Sequence, residues 1–184
     1  MTAQIDEMSG MRRSVFHNTR SKCLHLSGIA AFLAALALLP AMGEAACADP
    51  PDPGVDWRSC NFDSYALTGV DLTGANLNNA SFNRADLTGA KLDNSQGRVR
   101  FSRAEMEGAS FKGAQIRDAD FSQANISGGD FTGANLINVR FQTAILRDAN
   151  FTDARVRDAD FFRADLSGAT WTNGKKVCAE GSIS

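Results

Sequence analysis

The side chains that most often carry out chemistry, histidine and cysteine, are few in this chain and lie far apart. Both histidines, His17 and His25, stand near the N-terminus, and four cysteines are spread from position 23 to position 178. Acid–base catalysis usually relies on histidine or on carboxylates with a displaced pKa, and zinc sites need clustered ligands. The pattern predicts no catalytic residue, no cofactor and no metal site, so we expect a protein that is not an enzyme.

The first 45 residues have the composition of an export signal. Four basic residues precede the apolar run 28–39, and Pro40 ends that run ahead of the small residues that follow it. The run is short for a membrane-spanning helix, and this order of segments is typical of a signal peptide. We predict a cleaved signal peptide over 1–45 and a secreted or periplasmic chain without stable membrane insertion. An uncleaved anchor is the alternative.

Cleavage at that point would leave three cysteines and no histidine. Cys47 and Cys60 bracket the proline-rich loop "ADPPDPGVDWRS", and Cys178 lies far away near the C-terminus. Disulfides form in oxidising compartments, so we predict a Cys47–Cys60 disulfide that closes an N-terminal cap segment, 46–59. Cys178 is then buried, free or joined to another molecule.

From Cys60 onward the sequence repeats every five residues. Typical units are "ANLNN" (75–79), "ADLTG" (85–89) and "ADFSQ" (119–123), with a small residue, a polar one, a large apolar one and two further polar ones. A period of five fits neither a helix nor a continuous strand. Each unit needs a short extended piece followed by a turn, with the small and the large apolar residue on one face. Such short units must stack on one another to bury their apolar side chains.

The pattern resembles the pentapeptide-repeat family, whose consensus is A-(D/N)-L-x-x, over about residues 60–173. The motif recurs 22 times, in seven units centred on 62–92 and fifteen centred on 101–171. The resemblance implies an all-β fold, a right-handed quadrilateral β-solenoid with four units in each coil and about 5.75 coils in this chain. Residues 174–184 would follow it as a C-terminal cap tail.

Four units per coil predict that residues twenty apart stack, and the sequence supports this. One such column contains only phenylalanine, with steps of 20 residues except for one step of 19. We therefore predict that 95–98, "SQGR", is a four-residue face inside one continuous solenoid, with Gly97 near the missing core position, and not a looped-out hinge. The predicted core ladder is Phe62, Phe82, Phe101, Phe121, Phe141 and Phe161.

The charges of the repeat region are balanced. Residues 60–173 contain 14 acidic and 12 basic side chains, and charges of opposite sign stand twenty apart, as in Asp120 and Arg140. The best-known activity of the resembled family is DNA mimicry that inhibits DNA gyrase, and this requires a strongly acidic surface. A DNA-mimicking inhibitor of a type II topoisomerase is therefore the alternative function. We expect no nucleic-acid partner and favour an extracytoplasmic protein-interaction or structural scaffold.

Three apolar residues break the polar pattern of the outward positions. They are Ile137, Ile145 and Phe162, and all belong to the C-terminal coils. Exposed apolar side chains that join into a patch mark interaction sites. We predict that these three form a surface for a protein partner or for a dimer through the C-terminal coils; the sequence does not identify that partner.

Overall fold

The computed structural model of the chain describes residues 46–174. The signal peptide predicted over 1–45, the tail from residue 175 and Cys178 lie outside the described residues. The described part begins with one 3₁₀ turn, Ala46–Ala48, and continues as isolated parallel β-bridges between Asp56 and Thr170. Within 46–174, no helix has the length and apolar character to span a bilayer.

The bridges join successive coils of the chain. Asp56 pairs in parallel with Asn76, twenty residues later, and Asn150 pairs in the same way with Thr170. The bridging residue is the second residue of each unit, which is usually polar. The apolar residue after it donates its N–H to the next coil, as Phe121 does to the Arg140 carbonyl at 2.8 Å. Four units therefore complete one coil. The predicted β-solenoid is confirmed, and in the described residues it is built from bridges and not from longer strands.

A tight turn at the end of each unit produces the period of five. The small residue of the next unit closes the turn by donating its N–H to the preceding apolar residue, as Ala104 does to the Phe101 carbonyl at 3.0 Å. The fifth residue of the unit takes a positive φ, and fourteen non-glycine residues do so with φ between 55° and 65°. This conformation explains the asparagine, aspartate and glycine found at that position, because these residues tolerate it best.

The core consists of columns of side chains, one from each face. Rings of the predicted phenylalanine ladder lie 4.8–5.4 Å apart between centroids, with planes inclined by 12–18°. A second column, Phe111, Phe131 and Phe151, stacks at 5.0 Å. The two columns meet edge to face at 5.5–6.1 Å. Each such pair adds roughly 0.5–1.5 kcal/mol to the burial of the rings.

The coil stays continuous through the short face. Bridges from Ser81–Arg100 to Gln96–Gln115 span 19 residues, and the step returns to 20 at Arg100–Asp120. Gly97 donates its N–H to the Gln115 carbonyl at 3.1 Å. A Cβ at Gly97 would lie 2.5 Å from the Asn78 nitrogen, so the backbone itself fills the space of the missing side chain. The predicted four-residue face, 95–98, therefore lies inside one solenoid.

The N-terminal end of the core is covered by the segment before residue 60. The predicted disulfide between Cys47 and Cys60 is confirmed, with their Cα atoms 5.4 Å apart. Trp57 is 1% exposed, and its ring centroid lies 4.2 Å from that of Phe62. The bridge of Asp56 shows that the repeat conformation begins inside the segment predicted as a cap, with Trp57 in the place of a central apolar residue.

Candidate interaction surface

The outward aspartates hold the turns together. The Asp165 Oδ1 accepts hydrogen bonds from the Ser167 N–H at 3.1 Å and from the Ser167 hydroxyl at 2.6 Å. These bonds, together with one from Arg147, lower the pKa of Asp165 to about 2. Asp120 and Asp130 bond in the same way to the hydroxyl residue two places later. The carboxylates therefore stay ionised and engaged in local structure, which does not suit proton transfer near neutral pH.

Ion pairs join neighbouring coils over much of the solenoid. Arg140 Nη2 lies 2.9 Å from Asp120 Oδ2, and Arg147 Nε lies 2.6 Å from Asp165 Oδ2. Asp160 continues the first of these columns but accepts a hydrogen bond from the neutral Gln142, at 2.7 Å. Exposed pairs contribute about 0–1 kcal/mol each. Their main consequence is that positive and negative charges cancel locally instead of forming one acidic field.

Two of the three predicted surface residues are exposed, and one is buried. Ile145 is 39% exposed and Phe162 is 57% exposed, whereas Ile137 is 9% exposed. Ile137 therefore does not contribute to an outward patch, contrary to expectation. Ile145 and Phe162 flank the same solenoid corner in successive coils. The backbone of Ile145 bridges that of Asp165, and the Phe162 carbonyl accepts a hydrogen bond from the Thr143 N–H. The Arg163 guanidinium lies 5.0 Å above the Phe162 ring.

A groove of about 440 Å³ lies at the turns that follow Phe82, Phe101 and Phe121, and we call it the arginine groove. A smaller groove of about 390 Å³ lies on the other side of Arg100. The sequence patterns above did not single out these residues, although three arginines within 98–103 were a visible signal. The arginine groove is lined by Asp63, Asn83, Arg84, Arg100, Ser102, Arg103, Ser122 and Gln123.

Chemically reactive clusters are not found in the part of the chain that the structure describes. Between residues 46 and 174, no group of three or more histidine, cysteine, aspartate or glutamate side chains is arranged to hold a metal ion. The carboxylate in the arginine groove, Asp63, would have its pKa raised by burial, but hydrogen bonds from Ser81 and Asn83 dominate and lower it.

Comparison with protein families agrees with the repeat geometry. The model described as "Pentapeptide repeat region" matches residues 96–171, and "Pentapeptide repeats (8 copies)" matches residues 66–96. Together they cover 66–171, which is more than half of the 184 residues. The chain belongs to the pentapeptide-repeat family. No curated protein matches this pentapeptide-repeat chain.

Several solved pentapeptide-repeat structures are similar to this one. A protein of the Arabidopsis thaliana thylakoid lumen is 28% identical over 59% of this chain and 69% of its own, with a TM-score of 0.38. HetL of the cyanobacterium Nostoc, involved in heterocyst differentiation regulation, is 22% identical. The match covers 68% of this chain and 65% of HetL, with a TM-score of 0.30. QnrB1, a plasmid-mediated fluoroquinolone resistance protein, is 21% identical. The match covers 70% of this chain and 82% of QnrB1, with a TM-score of 0.24.

Proposed function

We propose that this pentapeptide-repeat protein is a non-enzymatic scaffold that binds another protein outside the cytoplasm. Its binding surface is the outside of a right-handed quadrilateral solenoid of about 5.75 coils. The observation that carries the non-enzymatic part of the proposal is that the outward carboxylates are engaged in local hydrogen bonds and ion pairs. Each aspartate with a resolved pKa shift has a lowered pKa, whereas a catalytic acid needs a raised one.

The Cys47–Cys60 disulfide supports the compartment. Disulfides persist in secreted and periplasmic proteins and are rare in the reducing cytoplasm. The signal peptide predicted over 1–45 points to the same place. The alternative, a DNA-mimicking inhibitor of a type II topoisomerase, would need an acidic surface in the cytoplasm. The ion pairs between coils, such as Arg140–Asp120, argue against such a surface.

Cell fractionation combined with intact-mass measurement tests the compartment and the disulfide together. We expect the chain outside the cytoplasm, beginning near Ala46, with a mass two hydrogens below that of its reduced form. The pairing of Cys47 with Cys60 would be read from a peptide digest without reductant. A cytoplasmic, uncleaved and fully reduced chain would contradict the proposal and would favour the topoisomerase alternative.

We further propose that the exposed pair Ile145 and Phe162 joins two copies of the chain through their C-terminal coils. Exposed apolar side chains lose unfavourable contact with water when they are covered. Replacing both by serine should reduce the mass measured by light scattering from that of a dimer to that of a monomer. Tyr65→Ser is the matched control, because Tyr65 is 56% exposed at the opposite end. The proposal would be contradicted if the wild-type chain were a monomer, or if the dimer persisted after both residues were replaced by serine.

A further inference from the structure

The arginine groove has a net positive charge, although the Arg100 guanidinium helps to lower the pKa of the Asp63 carboxyl. Arg84, Arg100 and Arg103 face one carboxylate, Asp63, so the lining residues carry a formal charge of +2. The Asp63 carboxylate is already engaged, since Oδ1 accepts hydrogen bonds from the Ser81 hydroxyl at 2.5 Å and from the Asn83 N–H at 2.8 Å. This local charge is opposite in sign to the net charge of the chain, which is −2.

Five of the twelve basic residues in 60–173 pair with an aspartate of an adjacent coil, and these three arginines do not. Arg140 and Arg147, for example, each pair with an aspartate of the adjacent coil. Arg103 instead donates its Nε–H to the neutral Oε1 of Gln123, at 2.8 Å. Within residues 46–174, the side chains of Arg84 and Arg100 have neither an ion pair at 4.0 Å or less nor a hydrogen bond, and both are exposed. Their guanidinium groups therefore have donors available for a ligand.

The arrangement is costly for the solenoid itself. Arg84 and Arg103 occupy the same position in successive coils, which are about 4.8 Å apart, so like charges stand over one another. Both residues also have a positive φ, 59° and 61°, a conformation that costs a residue with a Cβ roughly 1–2 kcal/mol. Glycine or asparagine would fill either position with less strain and no repulsion. The positive φ is shared by the fifth residues of other units, so the repulsion between the two arginines is the cost that is particular to this site.

We propose that the arginine groove binds an acidic segment of the partner protein. Guanidinium groups form paired, charge-assisted hydrogen bonds with carboxylates. The positive charge is spread over two coils, which suits several separated carboxylates better than one small anion. Asn83, Ser102 and Gln123 add neutral hydrogen-bonding groups to the lining. A volume of about 440 Å³ also exceeds the needs of a single anion and lies within the usual range for ligand sites.

This inference rests on the proposed function, because it names the chemistry of the partner. In the test, a capped hexaglutamate peptide is added at low ionic strength to the full chain as it is recovered from cells. Binding is monitored by NMR of the backbone amides. We expect shifts at the amides that line the groove and affinity that falls as salt is added. Hexaglutamine, of equal length but uncharged, should not bind. The titration depends neither on the compartment nor on dimerisation. If hexaglutamate does not bind, the groove proposal fails, but the results on compartment and dimerisation are unaffected.

Paired variants give the decisive comparison. Arg84→Gln combined with Arg103→Gln should weaken hexaglutamate binding about tenfold, and glutamine suits this position because Gln123 occupies it in the next coil. Arg117→Gln combined with Arg155→Gln removes the same charge from exposed sites outside the groove and should have little effect. Equal weakening by both pairs, or by neither, would overturn the proposal. Tighter binding of tripolyphosphate than of hexaglutamate would also overturn it, in favour of a phosphate ligand.

Discussion

Replacing Gly97 by alanine is expected to lower the free energy of unfolding by about 3 kcal/mol or more. The added Cβ would lie 2.5 Å from the backbone nitrogen of Asn78, 2.6 Å from its Cα and 2.7 Å from the carbonyl carbon of Leu77. Those are main-chain atoms of the preceding coil, and no side-chain rotation can relieve the clash. The φ of Gly97 is 133°, which adds strain for any residue with a side chain.

Gly108→Ala is the matched control for this prediction. Gly108 also has a positive φ, 67°, but a Cβ there would meet no atom within 4 Å. Its cost should therefore be limited to backbone strain of roughly 1–2 kcal/mol. Urea unfolding followed by circular dichroism measures both variants. Equal stabilities for the two variants would mean that the close contact between the short face and Asn78 is absent in solution.

The short face also shows how far the sequence predicts this fold. The step of 19 residues between Phe82 and Phe101 located the deletion, because aromatic side chains in one column must keep their phase if coils stack continuously. The same pattern placed the other rings of the ladder. It could not predict that the main chain at Gly97 lies directly against that of Asn78. This contact depends on how two coils pack on each other in three dimensions.

The surface was predicted less well, and Ile137 illustrates the reason. Ile137 follows a central apolar residue, so its place in the unit predicts an outward side chain, yet it is 9% exposed. Arg117 and Arg157 occupy the equivalent positions of the adjacent coils, and their aliphatic stems are long enough to cover an apolar neighbour. Exposure at such positions depends on the conformation of long side chains, which a five-residue pattern does not specify.

The arginine groove was missed for a related reason. Residues twenty apart in the sequence carry charges of opposite sign, as in Asp120 and Arg140. Arg84 and Arg103 are 19 apart because the short face lies between them, and Arg100 belongs to a different position of the same unit. The groove is thus formed by residues from different columns around a corner, so a comparison made column by column does not bring them together.

Phe121→Ala should lower the free energy of unfolding by about 3–5 kcal/mol. The ring is fully buried and stacks on both sides, with centroids 4.8 Å from Phe101 and 5.1 Å from Phe141. It also meets Phe111 and Phe131 edge to face, at 5.5 and 6.0 Å. Alanine would leave a cavity bordered by these four rings, which the bridged backbone on either side cannot close.

Phe162→Ala separates this effect from the mere loss of an aromatic ring. Phe162 is 57% exposed, and substitutions at such surface sites usually change the stability of a monomer by less than about 0.5 kcal/mol. The comparison is therefore made at a protein concentration low enough to dissociate the proposed dimer. Urea unfolding should then show a loss of unfolding free energy that is several times larger for Phe121→Ala than for Phe162→Ala. Phe121→Leu should fall between them, because it retains much of the burial but loses the stacking on Phe101 and Phe141. If Phe121→Ala cost no more than Phe162→Ala, the aromatic column would not be the source of cohesion between coils, and the bridges of the backbone would have to supply it.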